Sequence, residues 1–223
     1  MGILFWSYHY LVLQSAHFDL MITFYYIPYI LGIVIWIIVP IRQVKGTFFL
    51  FFLALIAGDI TAIIALMIAR FAFHSHSDTN IFYVVFGLLC LISIQDKKIS
   101  KLSKIFLVLL CIIFLTLELY GMQYKQEIIL ISFIQFLLFL KFLKYFIFKL
   151  VNERLISIFL ICLIFYELTL ITKLLNLITG FANVYAYFFI TTFFEIFIGL
   201  FFCIFKEDNP RILIKLKNFY DSP

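Results

Sequence analysis

The sequence predicts an all-α integral membrane protein, a seven-transmembrane-helix bundle with its N-terminus outside and its C-terminus cytoplasmic. Three observations carry that expectation. Of the 223 residues, 65% are hydrophobic and only 13% are charged, against roughly 45–50% and about 25% in soluble domains. Seven apolar stretches approach the length of about 20 residues that a helix needs to cross a bilayer. The lysines and arginines gather at alternate connections between those stretches. The lipid bilayer is therefore the first partner that the composition implies.

The elements follow in order. Residues 1–19, MGILFWSYHYLVLQSAHFD, are apolar but lack the basic start of a cleavable signal. Trp6, Tyr8 and Tyr10 suit the outer interface, so this segment is expected to lie there. The alternative is an eighth span, which would place the N-terminus inside. The transmembrane domain, residues 20–205, holds stretches at 20–40, 47–73, 80–95, 103–122, 126–148, 153–178 and 183–205. The third is the shortest. The cytoplasmic tail, 206–223, reads as an amphipathic helix on the inner leaflet: Asp208 or Asn209 caps it, Pro210 fits its first turn, and Ile212, Leu213, Leu216, Phe219 and Tyr220 share one side.

Orientation rests on the basic residues. Arg42 and Lys45 follow the first stretch; Lys97, Lys98, Lys101 and Lys104 follow the third. Lys141, Lys144, Lys149 and Arg154 surround the fifth-to-sixth turn, and Lys206, Arg211, Lys215 and Lys217 follow the seventh. Fourteen of the 17 basic residues thus fall on one side, which positive-inside bias assigns to the cytoplasm. The same bias accounts for the net charge of +5 without nucleic acid. Abundant Phe, Ile and Lys and the missing targeting peptide agree with a bacterial inner membrane.

Charge inside the spans is the informative exception. Asp59, Glu167 and Glu195 fall near the middle of the second, sixth and seventh stretches, with Gln135 at a similar level in the fifth. An ionised side chain at that depth costs roughly 2.5–3.5 kcal/mol on insertion scales, so these four are expected to converge inside the bundle as a polar cluster. Asp59 lies in a small-residue series with Ala54, Gly58, Ala62, Ala65 and Ala69 that admits a close neighbour. Lys173 is six residues beyond Glu167, about 240° around the helix and about 9 Å along it, so the two cannot pair directly. Lys173 and Glu118 both sit nearer the outer face, where they are expected to pair as an outer gate.

Other chemistry finds little support. The outer loop FHSHSD offers His74, His76 and Asp78 as candidate metal ligands. Their spacing matches no defined metal motif, however, and a solvated loop is expected there. Cys90, Cys111, Cys162 and Cys203 form neither a CxxC pair nor a Cys/His cluster. No GxSxG, HExxH, P-loop or dinucleotide fingerprint occurs, so no catalytic residue and no cofactor is expected. The seven-span outline is shared with rhodopsin-type receptors, but the seventh stretch has no lysine to carry retinal.

Three functions fit this outline. The first is a non-enzymatic membrane module, sensor-like or an accessory subunit, that acts through contacts with other membrane protein subunits. The second is a small proton- or cation-coupled transporter or channel using the mid-membrane carboxyls. The third is an intramembrane lipid-modifying enzyme with Glu and Asp as general acid and base.

Overall fold

The computed structural model describes residues 19–72, 80–94 and 124–216, together with positions 109, 112, 113 and 116. The chain is mostly helical. The α-helices delimited among the described residues are α1 (Asp19–Arg42), α2 (Phe49–Ala72), α3 (Asn80–Ser93), α4 (Tyr124–Phe148), α5 (Ile158–Thr179) and α6 (Val184–Ile204). Three helical stretches among the described residues are long and apolar enough to cross a membrane: Lys125–Glu153, Ile158–Thr179 and Ala186–Ile204. The N-terminal interfacial segment, most of the 103–122 stretch with Glu118, and the loop holding His74, His76 and Asp78 lie outside the described residues.

The helices pack chiefly in three pairs, α1 on α6, α2 on α3 and α4 on α5; α3 against α4 and α5 against α6 join the pairs. The small-residue series works at the second of these contacts. A Cβ at Gly58 would stand 2.9 Å from the Cβ of Phe86 on α3, so the missing side chain is what lets α2 and α3 approach. Many of the phenylalanines turn inward. Phe51 stacks edge-on against Phe142 at 5.1 Å, and Phe159 meets Phe202 at 4.8 Å. This aromatic core ties α2, α4, α5 and α6 together at the end of the bundle where α1 turns into α2.

Local chemistry sets the ends of α5. Ser157 is extended, and its hydroxyl accepts from the Leu160 N–H at 3.4 Å as an N-cap. At the other end Gly180 takes the left-handed conformation (φ 64°) and donates its N–H to the Asn176 carbonyl at 2.8 Å. The helix therefore starts at Ile158 rather than 153. The residues before it form a π-turn (Lys149–Glu153), left-handed Arg154, and a short strand, β1 (Leu155–Ser157).

The tail departs from the expected amphipathic helix. Asn209 does act as a cap, its side chain accepting from the Arg211 N–H at 3.0 Å, and Pro210 follows. The turn then stops after one 3-10 stretch (Pro210–Ile212) and becomes strand β2 (Leu213–Lys215), paired antiparallel with β1. A short isolated helix nucleates poorly, whereas β1 offers an open row of backbone donors and acceptors. The Leu216 N–H reaches the Arg154 carbonyl at 3.0 Å and completes the pairing.

Polar side chains close two helix ends that sequence patterning left unassigned. Lys141 donates its ammonium to the Leu91 carbonyl at the end of α3. Buried Gln43 donates from Nε2 to the Phe202 and Phe205 carbonyls at 2.6 and 2.8 Å, and Arg42 donates to the Cys203 carbonyl at 3.1 Å. The α1–α2 turn thereby caps α6. Gln43→Ala is expected to destabilise the fold by about 1–2 kcal/mol, because the last turn of α6 loses donors it cannot replace locally. The unfolding midpoint in mixed micelles checks this, and an unchanged midpoint counts against the cap.

Candidate functional site: a buried polar cluster

Asp59 on α2, Glu167 and Lys173 on α5, and Glu195 on α6 are all buried; Glu167 and Glu195 are 0% exposed. Tyr166, the residue before Glu167, is buried as well. Tyr166 itself is pinned by Trp36 of α1, ring centroids 4.6 Å apart. Gln135 on α4 is partly buried, and it lines a cavity of about 50 Å³ with Asp59, Tyr83, Cys90 and Tyr166.

The lysine is engaged within this cluster. Lys173 Nζ lies 2.5 Å from Glu195 Oε1, and the same ammonium stands 5.5 Å from the centre of the Phe188 ring. Depth counting places Lys173 near the outer face and Glu195 a level deeper; the structure joins the two, while Glu118, the expected partner of Lys173, lies outside the described residues. Helix direction explains the difference. Cα–Cβ bonds tilt toward a helix N-terminus, and α5 and α6 run antiparallel across the short turn at 180–183. Lys173 therefore leans down α5 while Glu195 leans up α6, and the long lysine stem covers the remaining gap.

Glu167 stands apart from that pair. Neither of its carboxyl oxygens has a hydrogen-bond partner among the described residues, and Gln135 Oε1 likewise lacks one. Thr169 donates to the Phe165 carbonyl at 2.8 Å and Thr191 to the Tyr187 carbonyl at 2.8 Å. Both neighbouring hydroxyls are thus spent on their own helices. Asn176 uses Oδ1 to accept from Ala182 N–H at 2.9 Å, which braces the α5–α6 turn.

Sequence reasoning overlooked Cys90, Tyr83 and Tyr166. Cys90 Sγ approaches the Phe51 carbonyl at 3.7 Å, and the residue lines the cavity with Asp59 and Gln135. Their polar atoms are weak or terminal, so a scan for charge passes over them. Among the described residues no group of three or more His, Cys, Asp or Glu could hold a metal ion. A second hollow, about 380 Å³ and open to the outside, lies between α5 and α6 among Phe165, Phe194, Phe197, Ile190 and Tyr187.

Comparison of the chain with protein-family models, curated proteins and solved structures gives no match.

Proposed function

We propose that the chain is a multi-pass membrane protein of seven spans, N-terminus outside, whose helices enclose a proton- or cation-handling site centred on Glu167. One observation carries this reading: Glu167 is fully buried, with no hydrogen bond to either oxygen among the described residues. The buried amine Lys173 already serves Glu195. An unpaired carboxylate in such surroundings costs several kcal/mol, so Glu167 takes up a proton or meets a mobile cation. Ionisable groups at this depth mark ion pathways by default. The Lys173–Glu195 pair is the fixed element beside it, holding α5 against α6.

Reconstitution into vesicles with an internal pH dye tests the reading. The native protein is expected to pass protons down an imposed gradient, and Glu167→Gln, which keeps shape and removes ionisation, is expected to lose that flux. Equal flux in the two proteins counts decisively against Glu167.

A second reading, a subunit acting through other membrane proteins, draws on the hollow between α5 and α6. Its rim is aromatic and outward-facing, with Phe197 and Ile190 each 67% exposed. Small or aromatic grooves of this kind accept a neighbouring helix. Purification in mild detergent separates the two: a monodisperse monomer with proton flux favours the first, an inactive chain that co-purifies with a partner the second.

A further inference from the structure

The Glu167 reading leaves open what reaches the site and by which route. We propose that the cavity between α2, α3, α4 and α5 is a hydrated chamber that relays protons to Glu167, so that the species handled is the proton rather than a metal cation or an organic solute; this rests on the reading of Glu167 given above. Size is the first argument. The cavity measures about 50 Å³, and a water needs about 10–15 Å³ of such space. A few waters fit; an organic solute does not.

Polarity is the second. A buried water needs two to four polar partners. The wall supplies Asp59, Gln135, Tyr83, Tyr166 and the Cys90 thiol. Gln135 Oε1 is buried and without a protein donor among the described residues, which leaves it able to accept from such a water. Hard divalent cations take six or more oxygen ligands. Here side-chain oxygens come from only four residues, and the rest of the wall is apolar, with Leu55, Ile131 and Leu170 among it. Water suits this lining better than a bare cation.

Position is the third. From α5 the chamber is lined by Tyr166, Leu170 and Leu174, and Glu167 follows Tyr166 directly and precedes Leu170 by three residues on that helix. Gly58 and Gly87 face the same space, and a Cβ at Gly87 would come 2.9 Å from Ile134 Cγ2. The helices meet closely at these two glycines. The transfer itself is simple. A hydronium that passes from the chamber to Glu167, which stands just outside the lining, breaks one O–H bond as a carboxylate oxygen forms one, leaving neutral water and a neutral acid; release to the far side reverses the step.

Hydroxyl-radical footprinting of the full chain in nanodiscs tests the chamber, because radicals generated from internal water oxidise the side chains beside it. Relative to their intrinsic reactivities, Cys90 and Tyr166 are expected to be oxidised faster than Phe51 and Phe142, which are as deeply buried in the aromatic core. Equal, slow oxidation of both sets overturns the proposal, and this wild-type comparison needs no variant to fold. In vesicles, Gln135→Leu is expected to lose the proton flux, and exchanging sodium for potassium is expected to leave it unchanged. Flux that follows a sodium gradient overturns the proton assignment while leaving Glu167 as the centre. Loss of preferential labelling with retained Glu167 dependence rejects the chamber alone, whereas flux indifferent to Glu167→Gln rejects the underlying reading.

Discussion

Lys173→Met is expected to lower the stability of the bundle by about 3–5 kcal/mol, the range for removing one member of a buried ion pair. The loss comes less from the missing attraction than from what remains. Glu195 is 0% exposed, and without the ammonium at 2.5 Å its carboxylate has neither water nor counter-charge. Removing both partners, as in Lys173→Met with Glu195→Leu, is expected to recover most of the deficit, since two apolar side chains of similar volume replace a desolvated pair. The four proteins form a double-mutant cycle that isolates the interaction from the two single losses. Unfolding midpoints in mixed micelles provide the energies. A single variant as stable as the native protein means that the two groups do not meet, and the α5–α6 contact described above is then wrong.

Gly199→Val is the second large effect, expected to cost up to about 3 kcal/mol through overpacking. A Cβ at this position would stand 2.8 Å from Ile35 Cγ2 and 3.3 Å from Trp36 Nε1. Ile35 is β-branched and stiff at χ1, and it belongs to the buried core at 5% exposure, so the neighbour cannot simply swing aside. The strain falls on the α1–α6 seam. Trp36 carries it further, because its ring rests on Tyr166 beside the acids. Shortening the obstruction with Ile35→Ala is expected to make the double variant less unstable than the sum of the two singles. Strict additivity in thermal unfolding rejects the contact.

The helical stretches were the most legible part of the sequence. An unbroken apolar run of span length leaves the backbone few alternatives, so 126–148, 153–178 and 183–205 point directly to helices at Tyr124–Phe148, Ile158–Thr179 and Val184–Ile204. Insertion cost likewise directs attention to Asp59, Glu167 and Glu195, and these three side chains are buried. Pairing was less legible. It depends on side-chain lean and helix direction, which a count of depth along each span omits; that omission hides the contact of Lys173 with Glu195. The tail was misread for a related reason. Periodicity describes only the segment itself, and the strand Leu213–Lys215 owes its form to Leu155–Ser157, far away in sequence. The caps provided by Gln43 and Arg42 escaped notice because basic and polar residues after a span already had an explanation in membrane orientation.

The β1–β2 pairing has a bearing on biogenesis. Leu155 emerges from the ribosome long before Lys215, its partner, and α5 and α6 must both be threaded and turned before the two can meet. Until then the α4–α5 junction carries an open edge, and Gln43 and Arg42 wait for the α6 carbonyls they cap. Pairing of Leu213–Lys215 with Leu155–Ser157 thus acts as a clasp that joins middle and late portions of the polypeptide once α5 and α6 have found their places.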